Sequence, residues 1–162
     1  MRVKDIIAED FVNYKRPAMF IISSICNWKC CVEQGIDISV CQNQSISLNK
    51  TVDISDKDIC ERYLANDITK AIVIGGLEPF EQFDEVLNLL NTLRNGFACD
   101  DTVVIYTGYY PEEISEQVEK LKQFFKNIII KFGRYVPNRP HRYDEVLGVE
   151  LVSDNQFAEQ IC

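Results

Sequence analysis

The 162-residue chain has one histidine, one tryptophan and two methionines, and it has no run of basic residues. Lys and Arg number 17 against 25 Asp and Glu, a formal net charge of −8. An acidic chain without a basic stripe is not built to track a phosphate backbone, which argues against nucleic acid as a partner. No apolar stretch approaches the roughly 20 residues that span a bilayer. The amino-terminal Met1-Arg2-Val3-Lys4-Asp5 is not followed by the apolar core of a signal peptide. The expectation is a cytoplasmic protein with no membrane partner. Internal repeats, low-complexity tracts and Pro-, Ser- or Gly-rich linkers are also missing. At roughly 150 residues per domain, the expectation is a single domain over residues 1–162. With 46 % hydrophobic and 26 % charged residues, the composition is that of a globular protein.

Cysteine is what the chain has in plenty: Cys26, Cys30, Cys31, Cys41, Cys60, Cys99 and Cys162. The number is odd and no secretory feature accompanies it, so a disulfide framework explains it poorly. Four of these residues fall between positions 26 and 41. Thiolates that close in sequence bind zinc or an iron–sulfur cluster. Structural zinc wants four ligands, usually as two knuckles, and only one knuckle is present. The sole histidine, His141, lies in a Pro-rich tail and reads as a surface residue. Three thiolates without an obvious fourth ligand fit a 4Fe–4S cluster with one iron left open. Zinc, or a set of packed free thiols, stays as the alternative.

Short apolar runs suggest strands at 18–22, 71–74, 103–106 and 128–130, the first followed by Ser23-Ser24 and the others closed by glycine, as expected of buried parallel strands. Between them the spacing predicts helices. One begins after Ser55 with Ile59, Tyr63 and Leu64 inward. One spans Glu78 to Leu93 with Phe80, Phe83, Leu87 and Leu90 inward. One opens at Pro111 with Ile114, Val118, Leu121 and Phe125 inward. Residues 26–50 read as a long loop, which in a compact domain is usually functional. The tail over 134–162 reads as irregular, with a possible strand near Gly148–Val152. Strand and helix alternate, so the fold class is α/β with a mostly parallel sheet. In such sheets ligands sit beyond the carboxyl ends of the strands. There the cysteines, Gly75-Gly76 and Thr107-Gly108 would converge.

These residues resemble the radical S-adenosylmethionine (SAM) proteins, and most closely the small activating proteins of the anaerobic, class III ribonucleotide reductase. Glu9-Asp10-Phe11-Val12-Asn13 is similar to that family's amino-terminal segment, and Met19–Ile25 to its first strand. Gly75-Gly76-Leu77-Glu78-Pro79 is similar to its Gly-Gly-Glu-Pro motif with one residue inserted. Val104-Ile105-Tyr106-Thr107-Gly108-Tyr109 matches a strand end. Phe132-Gly133-Arg134-Tyr135 and Ser153-Asp154-Asn155-Gln156 match carboxyl-terminal elements. The family's C-x3-C-x2-C pattern is altered, because its third position falls on Glu33. With 31–40 taken as an insertion, Cys41-Gln42-Asn43 completes the pattern, and the cluster loop spans 26–43.

The resemblance implies metal ligands Cys26, Cys30 and Cys41, with Cys31 competing for the second place. It implies a 4Fe–4S cluster whose open iron binds SAM, and cleavage of SAM to a deoxyadenosyl radical on one-electron reduction. Gly75 and Gly76 would admit the methionine end of SAM, or simply end a strand. Glu78 would place its amino group, or sit at a helix start. Thr107 would donate to SAM, or cap a turn, and Asn155 would reach SAM from the tail. Trp28 would shield the cluster or anchor its loop. The implied fold is a short, open, partial (βα) barrel, because the chain has room for only about four strand–helix units and a tail strand. An uncovered site suits a protein substrate. The implied partner is a glycyl radical enzyme, the anaerobic ribonucleotide reductase, with an electron donor of the flavodoxin or ferredoxin kind. A radical SAM enzyme or maturase acting on another substrate, and a non-catalytic iron–sulfur or zinc protein, remain as other readings.

Overall fold

The computed structural model describes residues 1–162. The chain opens with an antiparallel pair, β1 (Arg2–Asp10) and β2 (Ala18–Ser23). Two short helices follow, α1 (Lys29–Gln34) and α2 (Gln44–Ser47), with a 3-10 turn at Ile38–Val40 between them. Next come β3 (Val52–Asp53), α3 (Asp56–Leu64), β4 (Ala71–Gly75), α4 (Phe83–Asn91), β5 (Thr102–Tyr106), α5 (Ser115–Phe124) and β6 (Ile128–Phe132). The tail holds β7 (Arg142–Asp144), β8 (Val149–Leu151) and β9 (Phe157–Gln160).

The main sheet has the order β3-β1-β2-β4-β5-β6-β9. Its central strands β2, β4, β5 and β6 are parallel, and the flanking pairs are antiparallel. Every residue of β4 and β6 is buried, which is why these strands read as unbroken apolar runs. The side chains divide by pleat. Ile72, Ile74, Val103, Ile105, Ile128 and Ile130 meet Ile59, Tyr63, Val86, Leu89, Leu121 and their neighbours from α3, α4 and α5 in the larger core. Ala71, Val73, Val104 and Ile129 face the other way, against Tyr14, Leu147, Leu151 and Ala158. All three longer helices therefore cover one face. The opposite face is covered only by the β7–β8 hairpin and the segment after β1, and its strand ends are left free for a cavity.

Local chemistry explains the helix ends. The Ser55 hydroxyl accepts the Asp58 N–H at 3.0 Å and caps α3, with Asp56 and Asp58 in its first turn. Several expectations change. Residues 26–50 are not simply a loop: they hold α1, a 3-10 turn and α2, each too short to show a period. The helix expected from Glu78 to Leu93 is broken into a 3-10 turn at Pro79–Gln82, α4, and a π turn at Thr92–Gly96. Its buried face is Val86, Leu89, Leu90 and Leu93, while Phe83 and Leu87 are only half-buried. Leu64 is exposed, leaving Ile59, Cys60 and Tyr63 as the inner face of α3. The strand at Val149–Leu151 exists but pairs only with β7. The strand that closes the tail onto β6 is β9. The sheet is open, with β3 and β9 as its edges, so the fold is α/β with a mostly parallel centre rather than a closed barrel. No helix is long and apolar enough to cross a membrane.

Candidate functional site

A cavity of ≈ 490 Å³ lies at the carboxyl ends of the parallel strands, on the face opposite α3, α4 and α5. Its lining includes Cys26, Cys30, Cys31 and Cys41, Trp28, Gly76, Glu78, Thr107, Gly108 and Lys131, with Val149–Val152 of the tail on one side. Cys60, Cys99 and Cys162 are elsewhere, in or against the main core. Gly75 and Asn155 are not among the lining residues. Gly75 lies within β4, and the Asn155 amide donates to the Tyr110 hydroxyl at 3.0 Å and the Arg134 carbonyl at 2.9 Å. His141 is exposed, opposite Glu150 at 3.6 Å.

The start of the cysteine loop is pinned where the Glu78 N–H donates to the Ile25 carbonyl at 2.8 Å. Trp28 then takes a left-handed conformation (φ 59°) at the start of α1 and turns its N–H to the Cys26 sulfur at 3.4 Å. The Cys30 sulfur lies against Gly108: a Cβ there would come within 2.7 Å of it. An N–H donor such as that of Trp28 stabilises a ligating thiolate and tunes the metal it binds. The far end of the loop is tied where the Asn43 amide donates to the Gly76 carbonyl at 2.6 Å.

Burial pushes the Cys26 thiol up to about 12, and raises Cys30 and Cys31 as well. Without a cationic centre these groups keep their protons, and a metal centre displaces them. The four sulfurs line a volume, and no three Cys, His, Asp or Glu side chains form a preformed site for a single ion. In a 4Fe–4S cubane each thiolate is attached to a different iron, so its ligands stand around a volume and not a point. The donor set fits a cluster better than zinc.

Glu78 organises the strand ends. Its Oε1 accepts the Phe80 N–H at 3.1 Å and the Thr107 hydroxyl at 2.8 Å, and its Oε2 accepts the Gly108 N–H at 2.9 Å. Burial raises its pKa to about 7 against the pull of these three donors. Thr107 also accepts the Tyr109 N–H at 3.0 Å. Glu78 and Thr107 thus link the end of β4 to the end of β5 within the cavity wall. Gly76 has φ +78°, and a Cβ there would lie 2.6 Å from Ile22 Cγ2. The turn requires glycine for its own packing, whatever the cavity holds.

Other contributors were not legible in the sequence. Lys131 is 7 % exposed at the end of β6, and its ammonium donates to the Gly133 carbonyl at 2.9 Å. Burial lowers its pKa to about 8, while Cys30 and Glu78 pull it upward. Arg134, almost fully buried, pairs with Glu33 of α1 at 2.7 Å and with Glu113 at 2.5 Å, and Lys29 reaches the same two acids. This network fastens α1, and with it Cys30, to the turn before α5. Asn27 donates to Glu81 at 2.7 Å and to the Tyr109 hydroxyl at 2.6 Å, adding a second fastening. Nothing but the charge types of these residues hinted at such pairing.

A family model described as a 4Fe-4S single cluster domain matches residues 17–150, a span that includes the cysteine loop and all four parallel strands. No curated protein and no solved structure matches the chain.

Proposed function

Because the chain belongs to the 4Fe-4S single cluster domain family, we propose that it is a radical SAM activating enzyme whose substrate is a glycine loop of a partner protein. The observation that carries this reading is the meeting of the cysteine loop, the Gly76 turn and the Thr107–Gly108 turn around one cavity at the parallel strand ends. Cys26, Cys30 and Cys41 would hold the cluster. When bound, such a cluster supplies the electron that cleaves SAM.

The chain's own residues do the rest. Gly108 leaves room for the Cys30 sulfur, which a Cβ there would meet at 2.7 Å. Glu78 accepts three donors from the cavity wall and so positions Thr107 and Gly108. Lys131 offers a buried cation beside Cys30, suited to an anionic neighbour. The cavity is only partly walled by protein, and a partner's loop would supply the missing wall and exclude water. The partner is the anaerobic ribonucleotide reductase or a similar glycyl radical enzyme. An electron donor of the flavodoxin or ferredoxin kind would feed the cluster.

One observation favours a second reading, an electron carrier: a fourth thiol, Cys31, lines the same cavity. Anaerobic, reduced protein given SAM separates the two. Deoxyadenosine release, rising with added reductase and followed by a glycyl radical signal in electron paramagnetic resonance, is the expected result. An absence of deoxyadenosine selects the carrier. Efficient turnover of a small molecule by the lone chain selects a different radical SAM substrate.

A further inference from the structure

Cys31 is 3 % exposed, yet it belongs to neither apolar core. The other three cysteines outside the C-x3-C…C pattern all lie in or against the main core, where a thiol packs as a small hydrophobe. Cys31 lines the cavity with Cys26, Cys30 and Cys41. Cys30 and Cys31 are consecutive on α1, so their side chains leave the helix about 100° apart. They serve different parts of the cavity. Cys30 lies against Gly108 and feels Glu78, whereas Cys31 feels Cys41 and Asp37. Cys26 feels both Cys30 and Cys41. All four sulfur-bearing side chains line one cavity.

We propose that Cys31 is a fourth thiolate ligand, and that it closes the iron which Cys26, Cys30 and Cys41 leave open whenever no cosubstrate is bound. This rests on the cluster reading above. It replaces a choice between Cys30 and Cys31 with a role for each. Cys30 is the anchored ligand, set against the Gly108 wall. Cys31 is the ligand to be exchanged, because bonding both Cys30 and Cys31 to one cubane from a single helical turn is strained. On binding iron, Cys31 releases its thiol proton to solvent. When a chelating amine and carboxylate displace it, it takes a proton back. No electron moves in either direction.

Mössbauer spectroscopy of the full chain, reconstituted anaerobically with isotopically enriched iron, tests the assignment. The wild type without SAM should show four irons alike in all-sulfur coordination. Cys31→Ala should move one quarter of the iron into a distinct component, and should bind SAM more tightly because a competitor is gone. A wild-type spectrum that already contains the distinct quarter overturns the proposal, as does a Cys31→Ala spectrum identical to wild type. Should Cys31→Ala fail to hold a cluster, the wild-type spectrum still decides. A four-sulfur cluster that added SAM leaves unperturbed keeps Cys31 as a ligand and overturns the radical SAM reading instead. Zinc in place of iron overturns both.

Discussion

A thiol that binds a cluster and a thiol that fills a core differ in what surrounds them, and this chain holds both kinds. Cys26, Cys30 and Cys41 border a cavity, while Cys60 and Cys99 sit within or against packed apolar side chains. Cys26→Ala, Cys30→Ala and Cys41→Ala should each lose bound iron and sulfide, and Cys60→Ala and Cys99→Ala should retain them. Iron and sulfide assays on anaerobically purified variants check this, and iron retained by Cys41→Ala would remove the third assigned ligand. Glu78 makes a prediction of another kind. Glu78→Ala leaves the Phe80 N–H, the Thr107 hydroxyl and the Gly108 N–H without their acceptor, at about 1–3 kcal/mol for each donor that stays buried. Glu78→Gln keeps one acceptor and should cost less. Thermal denaturation should rank them wild type, Gln, Ala; equal melting of Ala and wild type would free Glu78 for a ligand-binding role. At Gly76 a bulky substitution tests less than its place in the sequence suggests. A side chain there meets Ile22 and a left-handed backbone before it meets any ligand.

Among the elements, α1 matters most because it carries Cys30 and Cys31. Six residues cannot hold a helix in water by themselves, so α1 depends on its fastenings to Arg134, Glu113 and Tyr109. Hydrogen bonds from Arg134 hold the Glu113 carboxyl down at about 2, below its ordinary 4.5. A lowered folded pKa means that the stabilisation is complete above pH 4.5 and is lost as pH falls through about 2. The melting-temperature difference between wild type and Glu113→Gln should therefore shrink across that window. A difference constant from pH 6 to pH 2 would show that the ion pair contributes nothing. The elements also show what a sequence conveys. β4 and β6 were legible because burial on both faces demands an unbroken apolar run. β1 was not: only Val3 and Asp10 of its nine residues are buried, so its alternation is faint. β9, Phe-Ala-Glu-Gln, is a four-residue edge strand in which only Phe157 favours a strand. In α4 the crowded sequence LNLLNTL permits more than one apolar face, and only packing on the sheet selects Leu89 and Leu93 over Leu87.

At the scale of the molecule, the sheet and the cysteine-rich edge of the cavity were legible for opposite reasons, one from repeated apolar spacing and the other from the density of a rare residue. The polar wall between them was not. Lys131 reads as an ordinary strand-end lysine, and only the pairing of β6 with β5 and β9 shows it buried beside Cys30. Since cluster binding is linked to the folded state, its removal should loosen the whole chain. The apo-protein should melt lower by about 2–4 °C for each kcal/mol of binding lost. Differential scanning calorimetry before and after chelation measures the shift, and no shift would mean that the loop carries its metal without support from the fold.

The contact between Cys30 and Gly108 has a consequence in time. The cysteines leave the ribosome early, but the wall they face is made of residues synthesised much later, at Gly108, Lys131 and Arg134. While the chain is growing, these thiols are exposed, unpartnered and open to oxidation or to stray metals. The receptor exists only once the last parallel strand has joined the sheet.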